Sequence, residues 1–365
     1  MTLHVYFARR FLMTFLGIFG GFGAFVFILD LVEQIRRFDD EGVAFGALVQ
    51  LTLLNLPGSL YEMLPLIMIL SSIALFLGLS RSSELVIARA AGRSGIVSLV
   101  GPMLVALIVG GIAVAAMNPI VAATSLRYSE LKELYEDGRR SVISIGSGGL
   151  WLRQGDETGQ TVIRASRANA DATRLYDVSF LEYRDEIGPV RRLMADEAEL
   201  VDGAWVLRTV KTWPLGPGVN AEANARDYDT LEIPSTLTRE RIRDRFGQPS
   251  AISIWNLPRF ISDLEQAGFS ARRHTVWFQM ELARPIFLVS LILVAAAFTM
   301  EHARIARTGI AVLSAVLIGF GLFYVRNFAQ ILGESGQLDP LVAAWVPPFA
   351  SLLLALGFLL QREDG

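Results

Sequence analysis

Residues Phe11–Val32, FLMTFLGIFGGFGAFVFILDLV, form the first long apolar run of the chain. About 20 such residues are needed to cross a bilayer as a helix. The run follows Arg9 and Arg10, as a signal peptide would. It is too long for a signal-peptide core and ends on no small-x-small cleavage site, so it reads as a retained signal anchor. Five more segments meet the same criterion: Leu48–Leu79, Ile96–Met117, Pro285–Met300, Gly309–Ile331 and Leu341–Leu360. The second is interrupted by Pro57 and Pro65, which leaves two readings, a kinked span or an interfacial start. The fourth is short as written. Starting it near Val276 places Glu281 and Arg284 inside the helix, facing protein or the interface. The chain is thus expected to be a polytopic α-helical membrane protein with six transmembrane helices.

Composition agrees. Hydrophobic residues make up 52% of the 365, mean hydropathy is +0.44, and charged residues are 19% and unevenly placed. They gather between about Ser125 and Arg273, which reads as a water-soluble insert. There are no cysteines, which excludes disulfides, Cys-ligated zinc, iron–sulfur clusters and a cysteine nucleophile. With only three histidines, His4, His274 and His302, the sequence argues against a His-rich metal site, and no cofactor is expected. No G-x-x-x-x-G-K-[ST], H-E-x-x-H or G-x-S-x-G occurs. The chain is therefore not expected to be an enzyme, and any ATP it depends on is hydrolysed by another subunit.

Short-loop Lys and Arg set membrane orientation. Arg9 and Arg10 precede span 1, Arg81, Arg89 and Arg93 separate spans 2 and 3, Arg304 and Arg307 separate spans 4 and 5, and Arg362 follows span 6. All fall on one side, assigned to the cytoplasm. The loop between spans 5 and 6 carries Glu334 and Asp339 and no basic residue. Arg36 and Arg37, after span 1, break the pattern. Both termini are expected inside and the insert outside. The expected division is residues 1–124 with spans 1–3, residues 125–273 as the outer domain, and residues 274–365 with spans 4–6.

The insert reads as all-β. Leu150–Arg153, Thr161–Ala168, Arg174–Tyr183, Val190–Leu200, Ala204–Trp213 and Arg226–Ile233 are the candidate strands. Turn chemistry separates them at Gly155-Asp156, Asn169-Ala170-Asp171, Gly188-Pro189, Asp202-Gly203 and Gly216-Pro217-Gly218. Short strands at this spacing suit a sandwich, a jelly roll or an open barrel. A helical stretch from Ser253 to Ala267 follows, with Ile254, Leu257, Ile261 and Leu264 on one face.

The loop Ser80–Ser94, SRSSELVIARAAGRS, has the makings of a short helix at about 82–92. Ser82 or Ser83 can cap it, Glu84 suits its first turn, and Gly92 can end it. On these grounds alone an ordinary connecting helix is the commoner explanation. Arg36 and Arg37, and Arg326 in span 5, likewise suit simple snorkelling to an interface. Gly17, Gly20, Gly21 and Gly23 suit either close helix packing or the ordinary glycine usage of spans.

Ser83-Glu84-Leu85 with Ala91-Gly92 resembles the coupling helix of the LptF/LptG (YjgP/YjgQ) lipopolysaccharide-export permeases. Leu31–Arg37, Gly149-Leu150-Trp151, Leu332–Gly336 and Ala344–Pro347 extend the resemblance over almost the whole chain. The Gly-Leu-Trp and Gly-Glu-Ser-Gly stretches are more similar to the LptG branch than to LptF. The resemblance implies three spans, an outer jelly-roll-like β domain and three more spans. It implies a non-catalytic permease subunit that pairs with an LptF-like second permease above an LptB-like ATPase dimer. The cargo would be lipopolysaccharide, passed to LptC-like and LptA-like periplasmic proteins, and nucleic acid plays no part. Glu84, Leu85, Arg89 and Gly92 would form the ATPase-coupling site. Arg36, Arg37 and Arg326 would hold the phosphates of the lipid headgroup, which guanidinium forks suit. Two other readings stand beside this one: a membrane-anchored scaffold whose β domain binds a partner, and a permease for another lipid.

Overall fold

The computed structural model describes residues 2–39, 43–84, 87, 90, 94–137, 143–146, 149–155, 159–168, 173–184, 188–201, 203–216, 220–235, 248–266, 270–300 and 308–363. The chain divides into two compact units. One holds residues 1–136, 253–255 and 272–365; the other holds residues 137–252 and 256–271.

The first unit is helical. It contains α1 (Thr2–Arg37), α2 (Phe45–Arg81), α3 (Gly95–Ile112) and α4 (Asn118–Asp137). After α5 (Leu257–Gln266), which belongs to the second unit, it resumes with α6 (Arg272–Thr299), α7 (Thr308–Glu334) and α8 (Pro340–Glu363). Among the described residues six helices are long and apolar enough to cross a membrane, α3 and α4 counting as one. Most outrun the apolar stretches that announce them. At 1.5 Å per residue, α1 and α2 are each about 55 Å long against a hydrocarbon core of about 30 Å. The α2 helix continues through both Pro57 and Pro65. The third span also runs on, so that residues 125–137, expected in the soluble insert, are helical.

Between α3 and α4 the helix widens into a π-turn, Ala113–Met117. A π-turn releases backbone groups from the regular ladder, and they need other partners. Trp255 supplies one, its Nε1 donating to Ala115 O at 3.0 Å, and beside it the Asn118 side-chain Oδ1 accepts from Ile254 N at 2.8 Å. Close helix contact fixes the bundle elsewhere. A Cβ on Gly101 would stand 2.4 Å from His4 O of α1, and one on Gly110 would stand 2.6 Å from Pro285 Cα of α6. The α6 helix is the bundle's core, 78% buried over its span, whereas α1 and α7 are 11% and 17% buried. The α1 glycines play little part within the chain: Gly17, Gly20 and Gly21 face open space, and Gly23 meets only Leu60.

The second unit is a seven-stranded antiparallel sheet whose strands lie side by side in chain order. They are β1 (Ile143–Gly146), β2 (Gly149–Gly155), β3 (Gly159–Ala168), β4 (Arg174–Arg184), β5 (Gly188–Val201), β6 (Ala204–Pro214) and β7 (Arg226–Pro234). Six match the expected strands to within a few residues, and β1 is additional. Expected turn residues 156, 169–171, 202, 217 and 218 lie outside the described residues. The inward face is built from Ile163, Val178, Phe180, Leu193, Trp205 and Leu207, at the two-residue period of a strand. The helix α5 covers that face with Leu264, Phe260 and Ile261. Pairing is interrupted along one line across the sheet. The registers step over Ser166, Asp177, Asp196, Thr209 and Asp229 on five successive strands. Asp177 and Thr209 have positive φ, 51° and 53°. Such irregularities bend strands and increase their twist.

Candidate functional site

The helix α2 ends at Arg81, and Ser82 closes it, its backbone N–H donating to Gly78 O at 3.0 Å. Ser83 then turns with φ of 58°. Its carbonyl accepts from Ile87 N at 3.1 Å, the first bond of a new helical turn that begins with Glu84. Leu85, Arg89 and Gly92 lie outside the described residues. Glu84 is ion-paired with Arg10 of α1. Ser82 Oγ donates to the same Glu84 oxygen at 2.7 Å, and Arg10 donates also to Tyr6 OH at 2.9 Å. Partial burial pushes the Glu84 carboxyl up, but the bonds from Ser82, Arg10 and Tyr6 outweigh it, and its pKa lies below the ordinary 4.5. Sequence reasoning singled out Glu84 but missed Arg10 as its partner, because 74 residues separate them.

The other end of α1 carries Arg36 and Arg37, both exposed. Arg37 lies 4.0 Å from Glu33, one turn away, a weak solvated pair. Just below, Asp30 Oδ1 accepts from Asn55 at 2.9 Å, and Gln34 Nε2 donates to Tyr128 OH at 3.1 Å. Phe38 is buried against Leu48, Leu51 and Tyr135, so the end of α1 is anchored while its two arginines point away.

Arg326 is placed differently. Eight residues from the end of α7, it turns into the bundle and is only 5% exposed. Its Nη2 donates to Met280 O of α6 at 3.3 Å, its Cζ lies 5.4 Å from the Phe287 ring centre, and its Nε has no partner among the described residues. No described contact joins it to Arg36 or Arg37. Beside it lies a buried cluster. Glu281 accepts from Tyr61 OH and from both Nε and Nη2 of Arg284, the Nε bond being 3.2 Å. Arg284 Nη1 donates to Tyr61 O at 3.3 Å, and its Cζ stands 4.1 Å over the Tyr61 ring. The cluster ties α2 to α6. Its signal in the sequence was the spacing of Glu281 and Arg284, three apart in an apolar helix; of the two settings considered, protein or interface, the structure selects protein. Among the described residues no group of His, Asp or Glu could hold a metal ion.

The profile of the family described as "Lipopolysaccharide export system permease LptF/LptG" matches residues 5–362. The chain is 23% identical to the lipopolysaccharide export system permease protein LptG of Haemophilus influenzae, over 92% of each chain. It is 22% identical to the protein of the same name from Escherichia coli K12, over 92% of this chain and 91% of that one. The matched stretch takes in all of the second unit and all but a few residues at each end of the first.

Proposed function

From the premise that this chain belongs to the LptF/LptG family of lipopolysaccharide export permeases, a multi-pass inner-membrane family, we propose that it is the LptG-type subunit of an ATP-driven extractor. It would pair with an LptF-like permease, sit on an LptB-like ATPase dimer, and pass lipopolysaccharide to LptC-like and LptA-like proteins. Both termini would be cytoplasmic and the β unit, residues 137–252 and 256–271, periplasmic. The observation that carries this reading is the match over 5–362, which takes in the six spans and the sheet together.

The membrane unit supports the reading physically. Its two least buried spans, α1 and α7, present apolar side chains such as Phe25, Ile28, Leu317 and Phe328 outward. These faces suit the second permease and the acyl chains of the cargo. Arg36 and Arg37, exposed at the end of α1, suit phosphate groups at the outer surface. Arg326 would join them when α7 shifts, since one carbonyl and a ring hold it weakly. Glu84 at the turn after α2 would meet the ATPase, and through Arg10 it is bonded to α1, so movement of the coupling segment reaches a cargo-facing helix directly.

Purification in mild detergent tests the proposal. An ATPase and a second permease of similar layout should co-purify, and lipopolysaccharide should stimulate ATP hydrolysis in the reconstituted complex. A β-rich partner captured without any ATPase would favour the scaffold reading instead. Stimulation by another lipid but not by lipopolysaccharide would redirect the cargo.

A further inference from the structure

Residues 253–255 belong to the helical unit, although the chain on both sides of them belongs to the β unit. What holds them there begins with Pro119. In an α-helix Ala115 O would accept from the N–H of residue 119, but proline has none, and its ring would crowd that same carbonyl. The π-turn Ala113–Met117 relieves the crowding, and Ala115 O takes the Trp255 indole N–H at 3.0 Å. Beside it, Ile254 N donates to Asn118 Oδ1 at 2.8 Å. The two bonds are unequal. Trp255 is 67% exposed, so water competes for its bond, whereas Asn118 is 1% exposed.

Asn118 faces two ways. Its side chain is also a hydrogen-bond partner of the Tyr61 hydroxyl. Tyr61 gives its own proton to Glu281, so the bond from Asn118 is its amide N–H to the phenol oxygen. Glu281 is held in turn by Arg284. A line of buried side chains, Asn118, Tyr61, Glu281 and Arg284, thus runs from residues 253–255 to the ion pair that ties α2 to α6. Buried polar groups cannot replace a lost partner with water, so the members of such a line move together or break. Tyr61 is carried by α2, which continues as one helix to Arg81, about 30 Å further on, where the turn bearing Glu84 begins.

We propose that residues 253–255 are a latch on the third span, released by movement of α2, and that Asn118 is the positioning residue that links the latch to Tyr61. With α2 in place, Tyr61 orients the Asn118 amide, and its oxygen holds Ile254. When α2 turns or slides, the Tyr61 hydroxyl leaves Asn118, the amide loses that orientation, and only the water-exposed indole bond remains. The chain of the β unit, continuous with the latch on both sides, then loses one fastening to the helical unit. That an ATPase drives α2 rests on the transport reading above; the linkage through Asn118 does not.

Amide hydrogen exchange at Ile254 reads the latch directly, because its N–H is the donor. The sample is the full chain, with whatever ATPase and permease co-purify, in phosphatidylcholine nanodiscs, and amides of β5 serve as the internal standard. Asn118→Leu should raise Ile254 exchange about tenfold relative to that standard. Tyr61→Phe, which keeps the ring and removes only the hydroxyl, should raise it several-fold although Tyr61 does not touch Ile254. The double variant should rise no further than Asn118→Leu alone. An Ile254 amide that ignores Tyr61→Phe, or independent additive effects, would overturn the linkage. If Asn118→Leu does not assemble, Tyr61→Phe decides alone, with Trp255→Phe as the comparison: that variant removes the indole donor and should loosen Ile254 further when combined with Tyr61→Phe. Trapping the ATPase with ATP and vanadate should raise Ile254 exchange in the native complex and leave Tyr61→Phe unchanged. A native complex that hydrolyses ATP normally with no change at Ile254 refutes the release. If no ATPase co-purifies but Tyr61→Phe still loosens Ile254, the transport reading fails and the linkage stands.

Discussion

Arg10 and Glu84 are each about one-third exposed, so their pair adds at most about 1 kcal/mol to stability. Its importance is geometric: it fastens α1 to the turn from which the proposed coupling segment starts. Arg10→Gln is therefore predicted to leave thermal stability nearly unchanged but to uncouple ATP hydrolysis from lipid export in the reconstituted complex. Glu84→Arg should do more, because it also places like charge beside Arg10 and weakens ATPase association. Normal coupling in both would show that the segment acts without the pair. The pH dependence has a definite sign. The Glu84 carboxyl titrates below its ordinary 4.5 in the folded protein, so the pair is fully present above that value and is lost as pH falls through the lower folded one. Coupling should be flat from about pH 6 to 8, and Glu84→Gln should show at neutral pH what acid does to the native protein. The buried pair behaves oppositely in magnitude. Glu281→Gln leaves Arg284 charged and uncompensated inside the bundle, a loss of about 3–5 kcal/mol. Tyr61→Phe removes one bond to a charged group, about 1.5–3 kcal/mol. Unfolding of the purified protein in detergent would rank the three, Glu281→Gln lowest, and an Arg10→Gln loss as large as that of Glu281→Gln would contradict the exposure argument. Of these residues, Glu84 was singled out in the sequence by its motif, and Glu281 and Arg284 by their charge in an apolar run. Arg10 as a partner was not, because a contact across 74 residues leaves no local trace.

At the scale of elements, the spans were legible because apolar length is a property of the sequence alone. Their ends were not. Polar turns such as Arg272–Trp277 and Arg127–Asp137 continue the helical ladder past the apolar run, and composition records only where the apolar run stops. The strands were legible from turn chemistry, except β1, whose four residues, ISIG, are too few to show alternation. The line of irregular pairing through Asp177 and Thr209 was invisible, since neither residue type demands positive φ. Helix contact was equally hidden. Gly110 looks like any glycine in a span, yet Pro285 stands so close that no side chain fits there. Gly110→Val is predicted to force α3 from α6 and to destabilise the membrane unit by about 1–3 kcal/mol or more. Gly17→Val, on the open face of α1, should leave the isolated chain's stability unchanged. Equal melting temperatures for the two variants in detergent would refute the close-packed contact.

For the whole molecule, the orientation in the membrane governs every functional assignment, since Glu84 can meet an ATPase only from the cytoplasm and Arg36 and Arg37 can meet an extracted headgroup only from the far side. Six crossings would leave both termini on one face, and a β unit inserted after the third crossing would then be on the opposite face. The helix ends place Arg10, Arg81 and Glu84 together at one end of α1 and α2, and Arg36 and Arg37 at the other end of α1. Positive loops remain in the cytoplasm, and Arg9, Arg10, Arg81, Arg89, Arg93, Arg304, Arg307 and Arg362 outweigh the exception of Arg36 and Arg37. Single cysteines can be placed without interference from native thiols. Asp156→Cys and Asn220→Cys are predicted to react in intact cells, whose outer membrane has been permeabilised, with a thiol reagent that cannot cross the inner membrane. Arg89→Cys and His302→Cys should react only after the inner membrane is opened. If the labelling is reversed, Glu84 faces the periplasm, no ATPase can reach it, and the Arg10–Glu84 pair becomes a structural fastener at the outer surface. If positions 156 and 302 label from the same side, the number of spans between them is wrong, and the division of the chain into two membrane halves around one insert fails with it.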